Sequence, residues 1–331
     1  MSDRFQVLSL DGGGIKGVFS AAVLAAIEED LSVKITDHFD LIAGTSTGGV
    51  IALGLGLGLT PKEMVEFYVS RGPAILSNPC GMRSLLHWAY RKFPQRALMK
   101  ALKDPKVFGD KKLGESIKRL VIPSYNLGED DVYLFKTPHH ERLKRDWKVP
   151  AWKVAIATSA APTYFPSSRH IDHVRHIDGG VWANNPTMVG IVEAVSMLNI
   201  SLDQIYVLSL GTSDEVIRRS SGLDSGGKLA WANDAVTLIL RGQSLGAYKQ
   251  ASHLLGMNKV LRLDPKVPDG LFALDKPNTK YELLAKAAHE SRISMPAIET
   301  GFMQHKCRLY TPLYGTDETI GDRGRESNHG N

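Results

Sequence analysis

The sequence predicts an α/β fold: a three-layer α/β/α sandwich around a mainly parallel central sheet. Three observations predict it. Short apolar runs alternate along the chain with longer stretches whose apolar residues recur at helical spacing. The two clearest runs each pass through a Gly-rich turn into a helix, the connection that parallel strands require. The 331 residues are 43% hydrophobic and 23% charged, enough apolar material to cover a sheet on both faces.

Phe5, Val7, Leu8 and Leu10 mark Arg4–Leu10 as the first strand. It runs into Asp11-Gly12-Gly13-Gly14-Ile15-Lys16-Gly17, and Val18–Glu29 follows as a helix. A glycine loop between strand and helix exposes backbone N–H groups that can cradle an anion. Leu41-Ile42-Ala43 reads as a second, buried strand. It ends in Gly44-Thr45-Ser46-Thr47-Gly48, after which Val50-Ile51-Ala52-Leu53 continues as an apolar helix. A serine between two glycines at a strand-to-helix turn is the nucleophile-elbow context. So tight a turn needs neighbours without a Cβ, and the following helix aims its N-terminal amides at the reacting centre.

Pro61 opens a helix over Lys62–Arg71. Met82, Leu85, Leu86, Ala89, Tyr90 and Phe93 form one face of the next helix, and a short basic segment follows Pro94. Asp104–Pro123 reads as a further helical stretch and Asp131–Lys136 as a strand. The small-residue run Ser159–Pro166 lets two elements pack closely before prolines end it. His176-Ile177-Asp178-Gly179-Gly180 precedes Val181–Pro186, and a helix resumes at about Thr187. Gln204–Thr212 and Lys259–Leu263 are buried strands; Leu229–Leu255 and Tyr281–Ile293 are helices. No repeat or linker interrupts the chain, so residues 1–314 are expected to form one domain, with a disordered polar tail over 315–331.

Cys80 and Cys307 are far apart, fit no metal-ligand spacing, and are expected to be reduced thiols. No signal peptide precedes the first strand, and the longest apolar run, Val50–Leu59, is about half a membrane span. These features lead us to expect a soluble cytoplasmic protein without metal or cofactor. The charge is unevenly spread: residues 67–103 carry 7 Lys/Arg and no acid, against a net charge of +5 for the whole chain. Arg83, Arg91, Lys92 and Arg96 with Trp88 make this window a solvated helix face, a cap that touches anionic membrane, or, with less to support it, a nucleic-acid contact without a recognised motif.

Gly12, Gly14 and Gly17 also fit the G-x-G-x-x-G fingerprint of a dinucleotide-binding, Rossmann-like protein. Asp37 and Asp40 stand near the distance at which a ribose-binding acid is wanted, but they precede the second strand, which ends in the serine elbow instead. A Ser-His-Asp hydrolase would place its elbow after several strands and a histidine late in the chain. His253, His289 and His305 lie in helix-like or tail contexts and are expected to be structural. The carboxylate that stands on a Gly-rich turn is Asp178, which leaves it as the best available base.

These four segments, Asp11–Gly17, Gly44–Gly48, Ser159–Pro166 and Asp178–Gly180, resemble in kind and in order those of the patatin-like phospholipases, over roughly the first 190 residues. The resemblance implies a Ser46–Asp178 dyad and an oxyanion hole from Gly12, Gly13 and Gly14. It also implies metal-free hydrolysis of the acyl esters of membrane phospholipids. Asp11, Lys16, Gly44, Gly48, Gly179 and Gly180 would support the site, Lys16 standing where many relatives carry arginine. Asn184 and Asn185 are expected to brace the loop of Asp178 by side-chain bonds to its backbone. Patatin-like chains of this size resemble either housekeeping lipid acyl hydrolases or bacterial antiviral lipases switched on by cyclic nucleotides, which act peripherally on the membrane. A non-catalytic lipid-binding module is the remaining alternative.

Overall fold

A computed structural model describes residues 4–76, 92–216, 221–225, 227, 231, 234–268 and 279–315. Nine strands run through them: β1 (Phe5–Leu10), β2 (Leu41–Gly44), β3 (Arg119–Asn126), β4 (Asp131–Lys136), β5 (His176–Asp178), β6 (Ile205–Leu210), β7 (Asp214–Val216), β8 (Val260–Leu263) and β9 (Lys266–Pro268). The described helices are α1 (Gly17–Leu31), α2 (Thr47–Gly56), α3 (Pro61–Ile75), α4 (Gln95–Leu102), α5 (Ala151–Thr158), α6 (Gly180–Ala183), α7 (Thr187–Ser196), α8 (Asp234–Leu255) and α9 (Lys280–Phe302).

Seven strands form one mixed sheet in the order β4-β3-β2-β1-β6-β8, with β5 also paired to β3. The pairs β1–β2, β2–β3, β1–β6 and β6–β8 are parallel; β4 and β5 run antiparallel to β3. Alternation along the strands divides the core. Val7, Leu41, Val121 and Val207 face α7 and α8, meeting Ile191, Ala194, Ala251 and Leu255. Leu8, Ile42, Ile122 and Leu208 face the other way, against Phe19, Ile51, Met64, Val154 and Ile298 of α1, α2, α3, α5 and α9. The fold is the three-layer α/β/α sandwich that the sequence predicts, because every central strand is apolar on both faces.

The way β2 ends positions the site. It pairs with β3 only from Leu41↔Arg119 to Ala43↔Val121. Beyond Gly44 the chain leaves the sheet, and further along the same edge of β3 its place is taken by β5, with Ser124 opposite Asp178. One strand ending and another arriving on a single edge brings the serine turn and Asp178 together.

The elements differ from expectation in a few places. Asp104–Pro123 is not helical: turns and a single 3-10 turn lead into β3, which starts at Arg119. Its Leu120-Val121-Ile122 run is wholly buried, and Val121 and Ile122 are β-branched, which sheet packing favours over a helix. The helix expected over Tyr281–Ile293 continues to Phe302 through Pro296. Of the helix expected over Met82–Phe93, residues 82–91 lie outside the described residues, as do Cys80 and the tail from residue 316; Lys92 and Phe93 form a bend. No helix among the described residues is long and apolar enough to cross a membrane.

Candidate active site

Ser46 sits between β2 and α2 at φ 53° and ψ −120°, a backbone conformation that few non-glycine residues adopt. The strain is held by packing on either side. A Cβ on Gly48 would fall 2.1 Å from the carbonyl oxygen of Leu10, and one on Gly44 would fall 2.3 Å from that of Gly48. Only glycine lets the elbow lie so close to the end of β1. From this turn the Ser46 hydroxyl donates to Asp178 Oδ2 at 2.6 Å.

Asp178 is nearly buried, at 5% exposure. Its Oδ1 accepts from the Gly180 N–H at 2.7 Å, and its own N–H donates to the Ala160 carbonyl. Burial, only partly offset by the bonds from Ser46 and Gly180, pushes its carboxyl up to about 6. Among the described residues no histidine bonds to the serine. His176, on the same strand, packs its ring edge-on and tilted against Tyr133 and Phe135, and burial drops it to about 4, so it is neutral there. His305 binds Asp40 at 2.8 Å, while His253 and His289 lie exposed on α8 and α9. Asp40 also accepts from the Gln6 N–H, so that carboxylate is committed inside the fold rather than offered to a ribose.

The glycine loop lies beside the serine: a Cβ on Gly12 would fall 3.2 Å from Ser46 Cβ. Of the three amides expected to hold an oxyanion, that of Gly12 is already spent, donating to the Asn184 carbonyl at 2.9 Å. That bond ties Gly12 to the segment after α6. The N–H groups of Gly13 and Gly14 have no acceptor among the described residues. Gly14 has φ 59°, and the loop turns there into α1. The Lys16 ammonium lies buried behind the loop, 3.5 Å from the Ser213 carbonyl.

Several contributors carry no sequence motif. Thr158 Oγ1 accepts from the Ser46 N–H at 2.9 Å and donates to the Pro123 carbonyl at 2.6 Å, fixing the elbow to the end of α5. Its neighbour Ser159 opens the small-residue segment, which is the signal that pointed here. Asn184 and Asn185 do not brace the loop of Asp178 as expected. Their side chains reach Ser244 on α8, and the Asn184 N–H reaches Gln243, because α8 packs over α6. Of the residues singled out in the basic window for a membrane contact, Lys92 and Arg96 are described. The Lys92 N–H donates to the Thr163 carbonyl, which sets the window against the segment leading to Asp178. Arg96 is exposed on α4. Arg83, Trp88 and Arg91 lie outside the described residues.

The family model described as patatin-like phospholipase matches residues 8–191, from the first strand to α7. The chain belongs to the patatin-like phospholipase family. This patatin-like chain is 33% identical over 270 residues to a cGAMP-activated phospholipase of Pseudomonas aeruginosa, covering 80% of each. It is 35% identical over 230 residues to a cGAMP-activated phospholipase of Escherichia coli, covering 64% of this chain and 63% of that protein. A third protein of the same description, from Vibrio cholerae, is 31% identical over 65% of this chain and 66% of its own length. As a member of the family, the chain is an ester-hydrolysing enzyme.

Proposed function

We propose that this enzyme is a phospholipase A-type acyl hydrolase working through a Ser46–Asp178 dyad. The observation that carries the proposal is the 2.6 Å bond between a serine held on a strained elbow and a buried carboxylate. Ser46 Oγ attacks the ester carbonyl while Asp178 takes its proton. A carboxylate titrating near its ordinary value would be a poor base; one raised to about 6 accepts a proton more readily and is still ionised at neutral pH. The oxyanion develops against the Gly13 and Gly14 amides, with the α2 N-terminus adding its positive end. Asp178 then returns the proton to the departing lysolipid oxygen, and water activated by the same carboxylate releases the fatty acid.

The substrate we assign is membrane phospholipid, met at the bilayer surface by a cytoplasmic protein that binds peripherally. The basic window supports this, since Lys92 is bonded through its backbone to the segment leading to the site and Arg96 is exposed on the helix that follows. We also assign control by a cyclic nucleotide, supported by three relatives named as cGAMP-activated phospholipases. A membrane-degrading activity harms its own cell unless it is held in check, which agrees with an antiviral effector. The test is a fluorophosphonate probe followed by lipid product analysis, with and without cGAMP. Labelling confined to Ser46 and fatty acid release that rises with the nucleotide are expected. Labelling elsewhere, or release that survives Ser46→Ala, overturns the dyad.

A further inference from the structure

The C-terminal third of the chain carries no motif, yet one of its side chains crosses the sheet to the glycine loop. Arg262 lies on β8, opposite Ser209 of β6, which in turn lies opposite Ser9 of β1. Both intervening residues are serines, small enough to leave the guanidinium a path and hydroxylic enough to line it. Arg262 Nη1 donates to Ser209 Oγ at 2.7 Å and to Asp11 Oδ1 at 3.3 Å. Its Nη2 donates to Asp11 Oδ2 and to Asp264 Oδ2, each at 2.7 Å. The fork is thus bidentate on Asp11, and both side chains are out of water, with 6% and 4% exposed.

We infer that Arg262 is a positioning residue for the oxyanion loop, holding Asp11 so that the Gly13 and Gly14 amides point at the reacting carbonyl. Asp11 is the last fixed residue before the loop: its N–H donates to Leu210, and the next amide, of Gly12, is anchored to Asn184. Asp264, the other partner of Arg262, backs a second turn. A Cβ on Gly211 would fall 2.1 Å from Asp264 Oδ1, so the turn at 211–213 lies directly against that carboxylate. From this turn Thr212 presses on the loop, its Oγ1 donating to the Gly12 carbonyl at 3.3 Å. A Cβ on Gly13 would fall 2.3 Å from the same oxygen. One guanidinium therefore fixes the loop from below through Asp11 and from the side through Asp264 and Thr212. Lysine would keep the charge but not the planar fork that two oxygens of one carboxylate require. Oxyanion donors contribute only if they are aimed before the charge appears, so a loop free to tilt loses rate rather than substrate affinity.

The inference rests on the dyad and oxyanion reading above, and the experiment separates their failures. The full chain is compared with Arg262→Lys, Arg262→Met and the double variant Asp11→Asn/Arg262→Met. Turnover of p-nitrophenyl butyrate, the rate of fluorophosphonate labelling and thermal unfolding are measured on each. Arg262→Met should lower kcat by at least about tenfold, as misplaced oxyanion donors do, while KM stays within about twofold, because binding is little affected. Labelling should slow in parallel, and Arg262→Lys should fall between wild type and Arg262→Met. Arg262→Met leaves the Asp11 and Asp264 carboxylates without their cation and should lower the unfolding temperature; the double variant removes the more deeply buried of the two charges and should recover part of that loss. Its kcat should nevertheless stay low, which a merely structural arginine does not predict. Recovery of kcat together with stability in the double variant, or full kcat in Arg262→Met, overturns the inference. Hydrolysis that persists in Ser46→Ala would instead overturn the dyad, whatever the arginine variants do.

Discussion

Asp178→Asn should make the protein more stable while leaving it inactive. In the folded protein the Asp178 carboxyl titrates at about 6 instead of 3.8, mainly because it is buried. The native state therefore binds this proton more tightly than the unfolded chain does. As pH rises from about 4 to about 6 the unfolded chain releases the proton first, so stability falls across that window and the penalty is complete above it. At about 1.4 kcal/mol for each pH unit, the ionised carboxylate costs the native state on the order of 3 kcal/mol at neutral pH. Asparagine keeps the geometry: its Oδ1 can still accept from the Gly180 N–H, and its Nδ2 can donate to Ser46 Oγ in place of the bond that Oδ2 accepts at 2.6 Å.

The expected gain at pH 7.5 is therefore about 2–3 kcal/mol, and about 5 °C in unfolding temperature for a chain of this size. Chemical denaturation of both proteins at pH 7.5, 6 and 4 measures it; comparing them at each pH cancels every other titrating group. The gap should close as pH falls, because the wild-type carboxyl takes up its proton. Hydrolysis of a soluble ester by the wild type should follow the same group, rising with pH through about 6 and then levelling. Asp178→Asn less stable than wild type at pH 7.5, or a gap independent of pH, would refute the idea that burial tunes this carboxylate as a base.

Four further outcomes are expected. Ser46→Gly should abolish hydrolysis yet raise stability by about 1 kcal/mol, because glycine accepts the positive φ at the elbow; equilibrium denaturation checks it. Gly48→Ala should destabilise by several kcal/mol or prevent folding, since its Cβ meets backbone that cannot move; soluble yield and circular dichroism report it. Thr158→Val should leave the Ser46 N–H unpaired, costing about 1–3 kcal/mol spread over stability and kcat; denaturation and ester turnover divide the two. Lys92→Glu/Arg96→Glu should weaken sedimentation with anionic vesicles by about 2 kcal/mol or more, with little change on neutral ones or on a soluble ester; equal loss on all three substrates would make the window scaffold.

The parts of the site legible in the sequence are those whose chemistry is written within a few residues. The elbow at Ser46 and the loop at Asp11–Gly17 are local turns, and local turns select glycine. The strands at Phe5–Leu10 and Ile205–Leu210 show because they are apolar on both faces, and Val260–Leu263 shows as a short, mostly apolar run. Asp104–Pro123 misleads because Leu113, Ile117, Leu120 and Val121 fall at helical spacing, and only pairing with β2 and β4 makes its last residues a strand. Long-range partners have no such local signature. Nothing near Gly12 shows that a carbonyl 172 positions later will claim its amide, and nothing near Asn184 shows that α8 will claim its side chain. Arg262 leaves a faint trace: a charged residue inside the buried run Val260-Leu261-Arg262-Leu263 demands an internal carboxylate. The sequence supplies many carboxylates, and choosing Asp11 among them needs the order β1-β6-β8 and the register Ser9↔Ser209↔Arg262. Each reacting group thus sits in its own short motif, while what aims them comes from the other end of the chain. A C-terminal third without motifs is what that division of labour produces, since a positioning residue answers to geometry and not to a pattern.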